Sequence, residues 1–276
     1  MKKLAVLLAT YNSQKFLEAQ IDSLLNQTYK DFVLYIRDDG SVDNTMEIIR
    51  SYHKKHSNIV IMEDCIHRRK SMGSFIWLLE HVEADYYMFC DHDDVWLPDK
   101  IRISLEHISK IERANKPAVV CSDLKVVDEK LNVISASFWK YMKLRPELLI
   151  QKKYALSCNL FTGCTMLINK KAKDVSLPLG RYATMHDSWI GLKVIANGGF
   201  IDYINEPLVL YRQHDRNVCG AKEVVCQWKY YSYKLRMLKS VIKSYKANYL
   251  MANEAFNGRI KLAYFLFFRF IYLLRR

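Results

Sequence analysis

Residues 86–100 read YYMFCDHDDVWLPDK. The first five residues are apolar, as in a short buried strand, and three carboxylates follow within residues 91–94. A helix is predicted just after Pro98, over Asp99–Arg113, because proline favours the start of a helix. Clustered carboxylates at the end of a buried strand cost stability unless a cation lies near them. This stretch therefore predicts a functional site at the edge of a sheet.

On either side of this stretch, apolar runs alternate with segments of helical period through the first half of the chain. Strand and helix alternate four times before a further strand, which predicts a doubly wound α/β sheet that binds nucleotides at the carboxyl ends of its strands. The strands are predicted at Leu4–Ala9, Phe32–Arg37, Ile59–Met62, Tyr86–Cys90 and Ala118–Cys121, and the first three helices at Ser13–Asn26, Val42–Tyr52 and Gly73–His81.

The second half of the chain is less regular. A strand is predicted at Leu160–Ile168, a helix at His186–Ala196 that ends at the NGG sequence of residues 197–199, and a last strand at Leu208–Tyr211.

Positive charge is concentrated at the end of the chain. The formal net charge is +13, and Lys222–Arg276, with twelve Lys or Arg and two acids, carries +10 of it. Because strand-like patterning also ends near Val218, we expect a catalytic domain over 1–218 and a basic, aromatic helical tail over 219–276. A nucleic-acid-binding protein would also be basic and aromatic. None of the motifs is of that kind, and we expect no nucleic-acid partner.

The tail interleaves aromatic residues with lysines and ends in the apolar stretch of residues 260–276. This pattern predicts an amphipathic helix that lies on an anionic membrane surface. The alternatives are a helix that packs back on the catalytic domain and a contact in a homo-oligomer.

Cysteine usage and the N-terminus indicate where the protein works. The seven cysteines form no CxxC pair, which favours a reducing compartment. The apolar run Leu4–Ala9 is shorter than that of a signal peptide. No segment reaches the ~20 uninterrupted apolar residues of a spanning helix. We therefore expect a cytoplasmic protein, bound peripherally to the inner face of the cell membrane.

Two acidic clusters follow two of the predicted strands: DDGS at 38–41 and DHDD at 91–94. Carboxylates that end parallel strands converge on one crevice, where a divalent cation relieves their repulsion. Oxygen ligands suit Mg²⁺ or Mn²⁺, which take their other ligands from phosphates and water. For residues 38–45 the alternative is a turn followed by a helix cap, since Asp, Gly and Ser are ordinary turn residues.

These motifs resemble those of family 2 glycosyltransferases, which have the GT-A fold. The likeness rests on ATYN at 9–12, SLLNQT at 23–28, DDGSVDNT at 38–45 and DHDDVWLPDK at 91–100, and it covers about residues 3–218. Three later motifs, NLFTGCTM at 159–166, HDSW at 186–189 and YRQHDRN at 211–217, are most similar to the bacterial rhamnosyltransferase branch, which builds capsule and other surface polysaccharides.

The resemblance implies an inverting transfer from a nucleoside-diphosphate sugar to a glycan or lipid-linked acceptor, with dTDP-rhamnose as the first donor to test. It implies that Asp187 is the catalytic base and that Asp93 holds the metal with His214. Asp39 would accept a hydrogen bond from the pyrimidine, and Asp91 would approach the ribose. The residues assigned to the donor as a group are Thr10, Tyr11, Asn12, Asp39, Asp91, Arg212 and His214.

Several alternatives remain open from the sequence. Asp187 could be only a helix N-cap, His214 only a loop histidine and His186 only a surface histidine. The donor could be another sugar, such as a UDP-hexose, or the chain could be an idle nucleotide-sugar-binding scaffold. Two departures from the family bear on the donor: His92 replaces the usual Gln, and residues 65–75 replace an Asn- and Gly-containing loop.

Overall fold

The computed structural model describes residues 2–64, 66, 70–215, 217 and 238–275. Its centre is a mixed sheet with the strand order β3-β2-β1-β4-β8-β6-β9-β5, and β7 pairs with β6. The strands are β1 (Leu4–Thr10), β2 (Val33–Asp38), β3 (Ile59–Ile61), β4 (Tyr86–Asp91), β5 (Val95–Trp96), β6 (Ala118–Val127), β7 (Val133–Ser135), β8 (Met166–Asn169) and β9 (Phe200–Arg212).

Helices cover both faces of this sheet. The helices are α1 (Leu17–Leu25), α2 (Thr45–Lys55), α3 (Lys70–His81), α4 (Lys100–Ile111), α5 (Phe138–Tyr141), α6 (Pro146–Leu149), α7 (Lys152–Ala155), α8 (Lys170–Ser176), α9 (His186–Ala196), α10 (Leu238–Ala255) and α11 (Leu262–Arg275), with a 3₁₀ turn at Gly163–Thr165.

Strand polarity determines where the site forms. Strands β1, β2, β3 and β4 are parallel neighbours, whereas β8 runs antiparallel to both β4 and β6. β1 is buried along its whole length, and β4 is buried up to Asp91, so both read as continuous apolar runs rather than alternating ones. Their carboxyl ends open on one edge of the sheet, as the sequence predicts.

The apolar faces of the sheet form two cores. One core packs α1, α2 and α4 on the sheet through residues such as Ile21, Ile49 and Ile108. The other packs α3 and α9 on the opposite face through residues such as Phe75 and Ile190. Helices α1, α2 and α4 each bury one apolar stripe, whereas α9 is buried on nearly all sides.

The predicted elements of the first half are confirmed to within a few residues at their ends. The later ones differ more. Strand β6 extends to Val127 because β9 runs parallel to it as far as Arg212, and this pairing was not visible from the short apolar run at its start. The predicted strand Leu160–Ile168 begins only at Met166, since residues 163–165 form a 3₁₀ turn.

The described part of the tail packs on the catalytic domain. Met251 of α10, Phe256 just after that helix and Phe265 of α11 form a third core with Trp189 of α9, and Tyr272 of α11 enters the second core. The proposed domain boundary near residue 218 lies outside the described residues. None of the helices described here combines the length and the hydrophobicity that crossing a bilayer requires.

Candidate functional site

The register of three parallel strands brings the two acidic clusters together. Thr10 at the end of β1 lies opposite Asp38 of β2, and Ala9 lies opposite Asp91 of β4. The carboxyl ends of β2 and β4 are therefore separated only by β1. The crevice expected from the sequence forms at this edge.

Within the DDGS cluster, Asp38 is a turn residue. Its carboxylate accepts hydrogen bonds from the backbone N–H of Gly40 at 3.0 Å, from the N–H of Ser41 at 2.7 Å and from the Thr10 hydroxyl at 2.9 Å. Gly40 has φ +88°, a conformation that suits glycine. The turn interpretation therefore holds for Asp38, and its bonds fix the loop beside β1.

Two of the predicted nucleoside-pocket residues lie on this rim. Asn12 adopts φ +48° and joins the turn, because its N–H donates to the Ser41 hydroxyl at 2.8 Å and its side-chain oxygen accepts from the Val42 N–H at 3.0 Å. The side chain of Tyr11 is half exposed, at 50%. A half-exposed ring on the rim of a crevice is available to a ligand.

Asp39 points inward instead and pairs with Arg37. The Arg37 guanidinium is fully buried and donates to Asp39 at 2.9 Å, to Asp64 at 3.0 Å and to the Ser74 hydroxyl at 2.8 Å. It also lies over the Trp77 ring, 5.6 Å from its centroid. One buried cation thus fixes two carboxylates, so the orientation of Asp39 is set by charge as well as by the backbone.

Asp91, Asp93 and Asp187 are close enough to affect each other's ionisation. Burial, followed by the negative charges of Asp93 and Asp187, raises the pKa of Asp91 to about 7. Asp187 is 96 residues from Asp91 in the sequence, and α9 brings it there from the opposite half of the domain. The crevice therefore holds more negative charge than its own side chains neutralise, which favours binding of a cation.

Asp93 contacts the motif at the end of β9. Its Oδ2 lies 2.8 Å from His214 Nε2, and its backbone oxygen accepts from Arg212 Nε at 2.8 Å. Phe16 supports both basic groups: the Arg212 guanidinium lies 4.6 Å from its ring centroid and the His214 ring 5.0 Å. The two predicted metal ligands are thus adjacent, and a carboxylate beside an imidazole could hold a divalent ion.

A second group of potential ligands lies deeper. Ligand atoms of Asp91, Asp94 and Cys164 all lie within 4.8 Å of one another. Burial raises the pKa of the Cys164 thiol well above its usual range, as does the negative charge of Asp94. A protonated thiol is a poor ligand for Mg²⁺ or Mn²⁺, so the donor chemistry favours Asp93 and His214 for such an ion.

Lys100 lies beneath this deeper group. It is fully buried, with its Nζ 4.1 Å from the centroid of the Trp96 ring. Burial lowers its pKa to about 8, although Cys164, Cys90 and Asp94 act in the opposite direction. Asp94 Oδ1 accepts a hydrogen bond from the Arg212 N–H at 3.1 Å, which ties β9 to the same loop.

Asp187 lies in the first turn of α9, where the positive end of the helix dipole favours a carboxylate. It is not the N-cap, because Met185 occupies that position and no side chain caps this helix. The simple capping alternative is therefore wrong. Its Oδ1 accepts from the N–H of Ser188 at 2.5 Å and from the Ser188 hydroxyl at 3.0 Å.

His186 is buried, at 3% exposure, so the surface interpretation of this residue is wrong. Its ring contacts those of Phe75 and Phe89, with centroids 4.6 and 5.1 Å away, and burial lowers its pKa. A Cβ added to Gly163 would lie 2.7 Å from His186 Nε2, so this contact requires glycine. The HDSW and NLFTGCTM motifs therefore meet directly behind Asp187.

Sequence reasoning missed Arg37 and Lys100 as residues of the site. Arg37 lies directly before the acidic stretch that begins at Asp38, and Lys100 is the last residue of DHDDVWLPDK. A basic residue next to clustered acids in an apolar run is the signal that could have identified them. The first departure from the family, His92, lies with its Nδ1 3.3 Å from the Ala9 backbone oxygen. The second is the loop of residues 65–75, of which residues 65 and 67–69 lie outside the described residues.

The sequence is similar to those of known proteins. Residues 5–175 match the family model described as glycosyl transferase family 2. A dTDP-rhamnosyl transferase of Shigella flexneri, RfbG, is 27% identical over 78% of this chain and 74% of its own length. The Escherichia coli protein WfaP, named as a UDP-Glc:alpha-D-GlcNAc-diphosphoundecaprenol beta-1,3-glucosyltransferase, is 27% identical over 95% of this chain and 96% of its own.

A solved structure supports the same assignment at the level of the fold. Staphylococcus aureus TarS residues 1–349, in complex with UDP-GlcNAc, aligns with a TM-score of 0.64 at 19% identity, over 99% of this chain and 72% of that one. This likeness confirms the predicted GT-A fold. Since the family model spans more than half of the sequence, the chain belongs to glycosyl transferase family 2.

Proposed function

We propose that this chain transfers a sugar, with inversion, from a nucleoside diphosphate to a glycan or lipid-linked acceptor in the synthesis of a bacterial surface polysaccharide. The observation that carries the proposal is that Asp91 lies close enough to Asp93 and Asp187 for their charges, after burial, to help raise its pKa to about 7. Carboxylates from the nucleotide-binding half and from α9 lie in one site, as transfer between two substrates requires.

In this reaction the acceptor hydroxyl attacks the anomeric carbon in line with the departing nucleoside diphosphate. Asp187 accepts the hydroxyl proton as the new bond forms, which contributes ~10²–10⁴-fold as general-base catalysis. Its place in the first turn of α9 puts its side chain at the positive end of the helix dipole. A single displacement of this kind inverts the configuration at the anomeric carbon.

The other residues bind and orient the donor. Tyr11 and Asn12 line the nucleoside side of the crevice with Thr10, and Asp39, held by Arg37, accepts a hydrogen bond from the base. Asp91 lies toward the ribose. Arg212 adds positive charge on the diphosphate side, beside His214, although its guanidinium is also engaged with backbone oxygens of the site.

Asp93 and His214 would hold the divalent ion, Mg²⁺ or Mn²⁺. When bound, the ion supplies positive charge that stabilises the leaving diphosphate. The excess of carboxylates around Asp93 favours this assignment, because removing the ion leaves like charges close together.

The donor sugar is the least constrained part of the proposal. RfbG is named for dTDP-rhamnose and WfaP for UDP-glucose, at equal identity to this chain. We propose dTDP-rhamnose first, because the three motifs of the second half are of the rhamnosyltransferase kind, and a UDP-hexose as the alternative. WfaP is named for a lipid-linked acceptor and aligns over nearly the whole chain. An acceptor of that kind would keep the protein at the cytoplasmic face of the membrane.

A panel of nucleotide sugars with Mg²⁺ or Mn²⁺ tests this function. A donor at ~100 times its Kd stabilises the fold by about 2.7 kcal/mol, which thermal denaturation resolves. We expect stabilisation by one nucleotide sugar in the presence of metal, and transfer to an acceptor in a single-turnover assay. Stabilisation without any transfer or donor hydrolysis would favour the idle scaffold instead.

A further inference from the structure

A basic pocket lies at the far end of α9 from Asp187. It has a volume of about 400 Å³ and lies between α7, the C-terminal end of α9, and the segment that joins α10 to α11. Four cationic side chains line it, and no Asp or Glu among the described residues does: the cations are Lys152, Lys193, Arg259 and Lys261.

None of these four side chains forms an ion pair with a described carboxylate, whereas Lys2, Lys15 and Lys170 elsewhere on the surface do. Instead Lys152 Nζ lies 5.2 Å from the centroid of the Phe256 ring, and Phe256 also lines the pocket. Four like charges around one concave surface repel each other, and a bound anion relieves that repulsion.

The outer face of α11 lies directly beside this pocket and is apolar. Tyr264 belongs to both, since it lines the pocket and is 43% exposed. Arg275, at the C-terminal end of the helix, is exposed and donates to the Tyr154 hydroxyl at 2.9 Å. The other exposed large side chains of the helix are apolar and recur every three or four residues or lie beside one another: Leu262, Tyr264, Leu266, Phe267, Phe270 and Leu274.

The single charge within the apolar stretch of α11 does not interrupt this face. Arg269 turns inward, where its guanidinium lies 4.0 Å from the centroid of the Tyr245 ring and donates to the Ser157 backbone oxygen. Phe265 and Tyr272 are buried on that inner side. The helix therefore has one face that stabilises the fold and one that is exposed, apolar and uncharged.

We propose that this pocket binds the phosphate group of an anionic phospholipid while the outer face of α11 enters the adjoining acyl region of the bilayer. A lipid surface satisfies both features at once, because its headgroups carry negative charge directly beside its apolar region. A second copy of the chain is a poorer match, because it would have to present carboxylates next to an apolar patch. The same surface of that copy has no described carboxylate in its pocket.

The proposal adds a lipid site that the transfer reaction itself does not require. Asp187 and Asn197 stand at opposite ends of α9, about 15 Å apart at 1.5 Å per residue. The bilayer surface would thus lie about 15 Å, the length of α9, from the proposed catalytic base.

Co-sedimentation with vesicles tests the proposal without any sugar substrate. The wild-type chain is compared on vesicles of phosphatidylglycerol mixed with phosphatidylcholine and on vesicles of phosphatidylcholine alone. We expect binding only to the anionic vesicles. The triple variant Lys152→Ala, Arg259→Ala, Lys261→Ala should lose roughly a hundredfold in partitioning, given the usual contribution of each nearby cation.

A matched control removes the same charge elsewhere. Arg50, Lys54 and Lys55 on α2 are equally exposed and unpaired with described carboxylates, and their triple alanine variant should bind vesicles within a few-fold of wild type. The variant Phe267→Ser, Phe270→Ser should lose about tenfold or more in partitioning and keep its melting temperature.

Three results would overturn the proposal. Equal loss in both triple variants would mean that only the net charge matters, and equal binding to neutral vesicles would mean that the pocket does not select an anionic headgroup. The third result is a wild-type chain that fails to bind vesicles and forms a concentration-dependent dimer. If the Phe267→Ser, Phe270→Ser variant is then monomeric, the outer face of α11 is a protein interface. Failure of the transfer reaction would leave all of these readouts unaffected.

Discussion

The two ends of helix α9 contrast in charge and in what surrounds them. At its N-terminal end, Asp187 joins Asp91 and Asp93 in a crevice rich in carboxylates. At its C-terminal end, Lys193 lines a pocket with three other cations and no described carboxylate. The first site is held by hydrogen bonds from three strands, whereas the second lies beside an exposed apolar helix face.

This difference indicates which kind of ligand each end would bind. An excess of one charge in a concave site is relieved by a ligand of the opposite charge. Under the two proposals, that ligand would be a divalent cation with its diphosphate at the acidic end and a phosphate at the basic end. Variants at each end, each compared with a matched reference, test this contrast.

The largest effect should come from the buried cation of the acidic end. Arg37→Met removes the buried guanidinium that pairs with Asp39 and Asp64, so we expect a loss of roughly 3–5 kcal/mol in the free energy of unfolding. Urea denaturation measures it. Arg102→Met is the matched control, because Arg102 forms exposed pairs with Asp99 and Glu106 and should cost under about 1 kcal/mol. Similar losses in both variants would contradict the structural role of Arg37.

The next effect concerns the metal. Asp93→Asn preserves shape but removes the carboxylate next to His214, so affinity for the nucleoside diphosphate in the presence of Mn²⁺ should fall by about 10–100-fold. Calorimetry with and without the ion measures this. Asp99→Asn, on the surface five residues after the DHDD cluster of residues 91–94, should leave the affinity within a few-fold of that of wild type. Undiminished metal-dependent binding by Asp93→Asn would assign the ion to other ligands.

A smaller effect is the pH dependence of stability without ligands. The pKa of Asp91 is about 7 in the folded chain and near 3.8 when unfolded, so the folded state binds more protons between these values. Its protonation therefore contributes stability that is fully present below about pH 4 and is lost as the pH rises through 7. Relative to Asp91→Asn, wild type should be less stable at pH 8 than at pH 5, by about 2 kcal/mol. A difference that stays constant between these pH values would contradict the coupling.

The smallest effect should be at the outer face of α11. Phe267→Ser should change the free energy of unfolding by less than about 0.5 kcal/mol, because Phe267 is 56% exposed. Phe265→Ser, two residues earlier and fully buried, should cost about 3 kcal/mol or more. Comparable losses at the two positions would mean that the outer face is also packed. Deletion of the whole helix is a poorer test, since it also removes Phe265 and Tyr272 from the cores.

Much of the acidic end could be predicted from the sequence, because its residues are local to strand ends. The apolar runs of β1 and β4 and the carboxylates after them predict both the sheet and the crevice. The helix His186–Ala196 was predicted with its observed bounds, since the NGG sequence ends it and Gly198 adopts φ +65°.

What the sequence did not provide depends on contacts between distant segments. The length of β9 follows from its pairing with β6, and the burial of His186 follows from Phe75 and Phe89, which lie on other elements. Whether Arg269 interrupts the apolar face of α11 depends on the direction of its side chain. Composition alone could predict a basic tail, but the grouping of Lys152 with Lys261 requires the fold.

The central claim is that Asp187 is the base of a transferase whose donor site ends at Asp91 and Asp93. The most direct test is Asp187→Asn, with donor affinity from calorimetry and sugar transfer from a single-turnover assay on one preparation. Asp174→Asn, an exposed carboxylate on α8, is the control for the loss of charge. We expect donor affinity within a few-fold of wild type and transfer lower by roughly 10²-fold or more. Near-normal transfer by Asp187→Asn would contradict the claim, and loss of donor binding together with transfer would place Asp187 in the donor site instead.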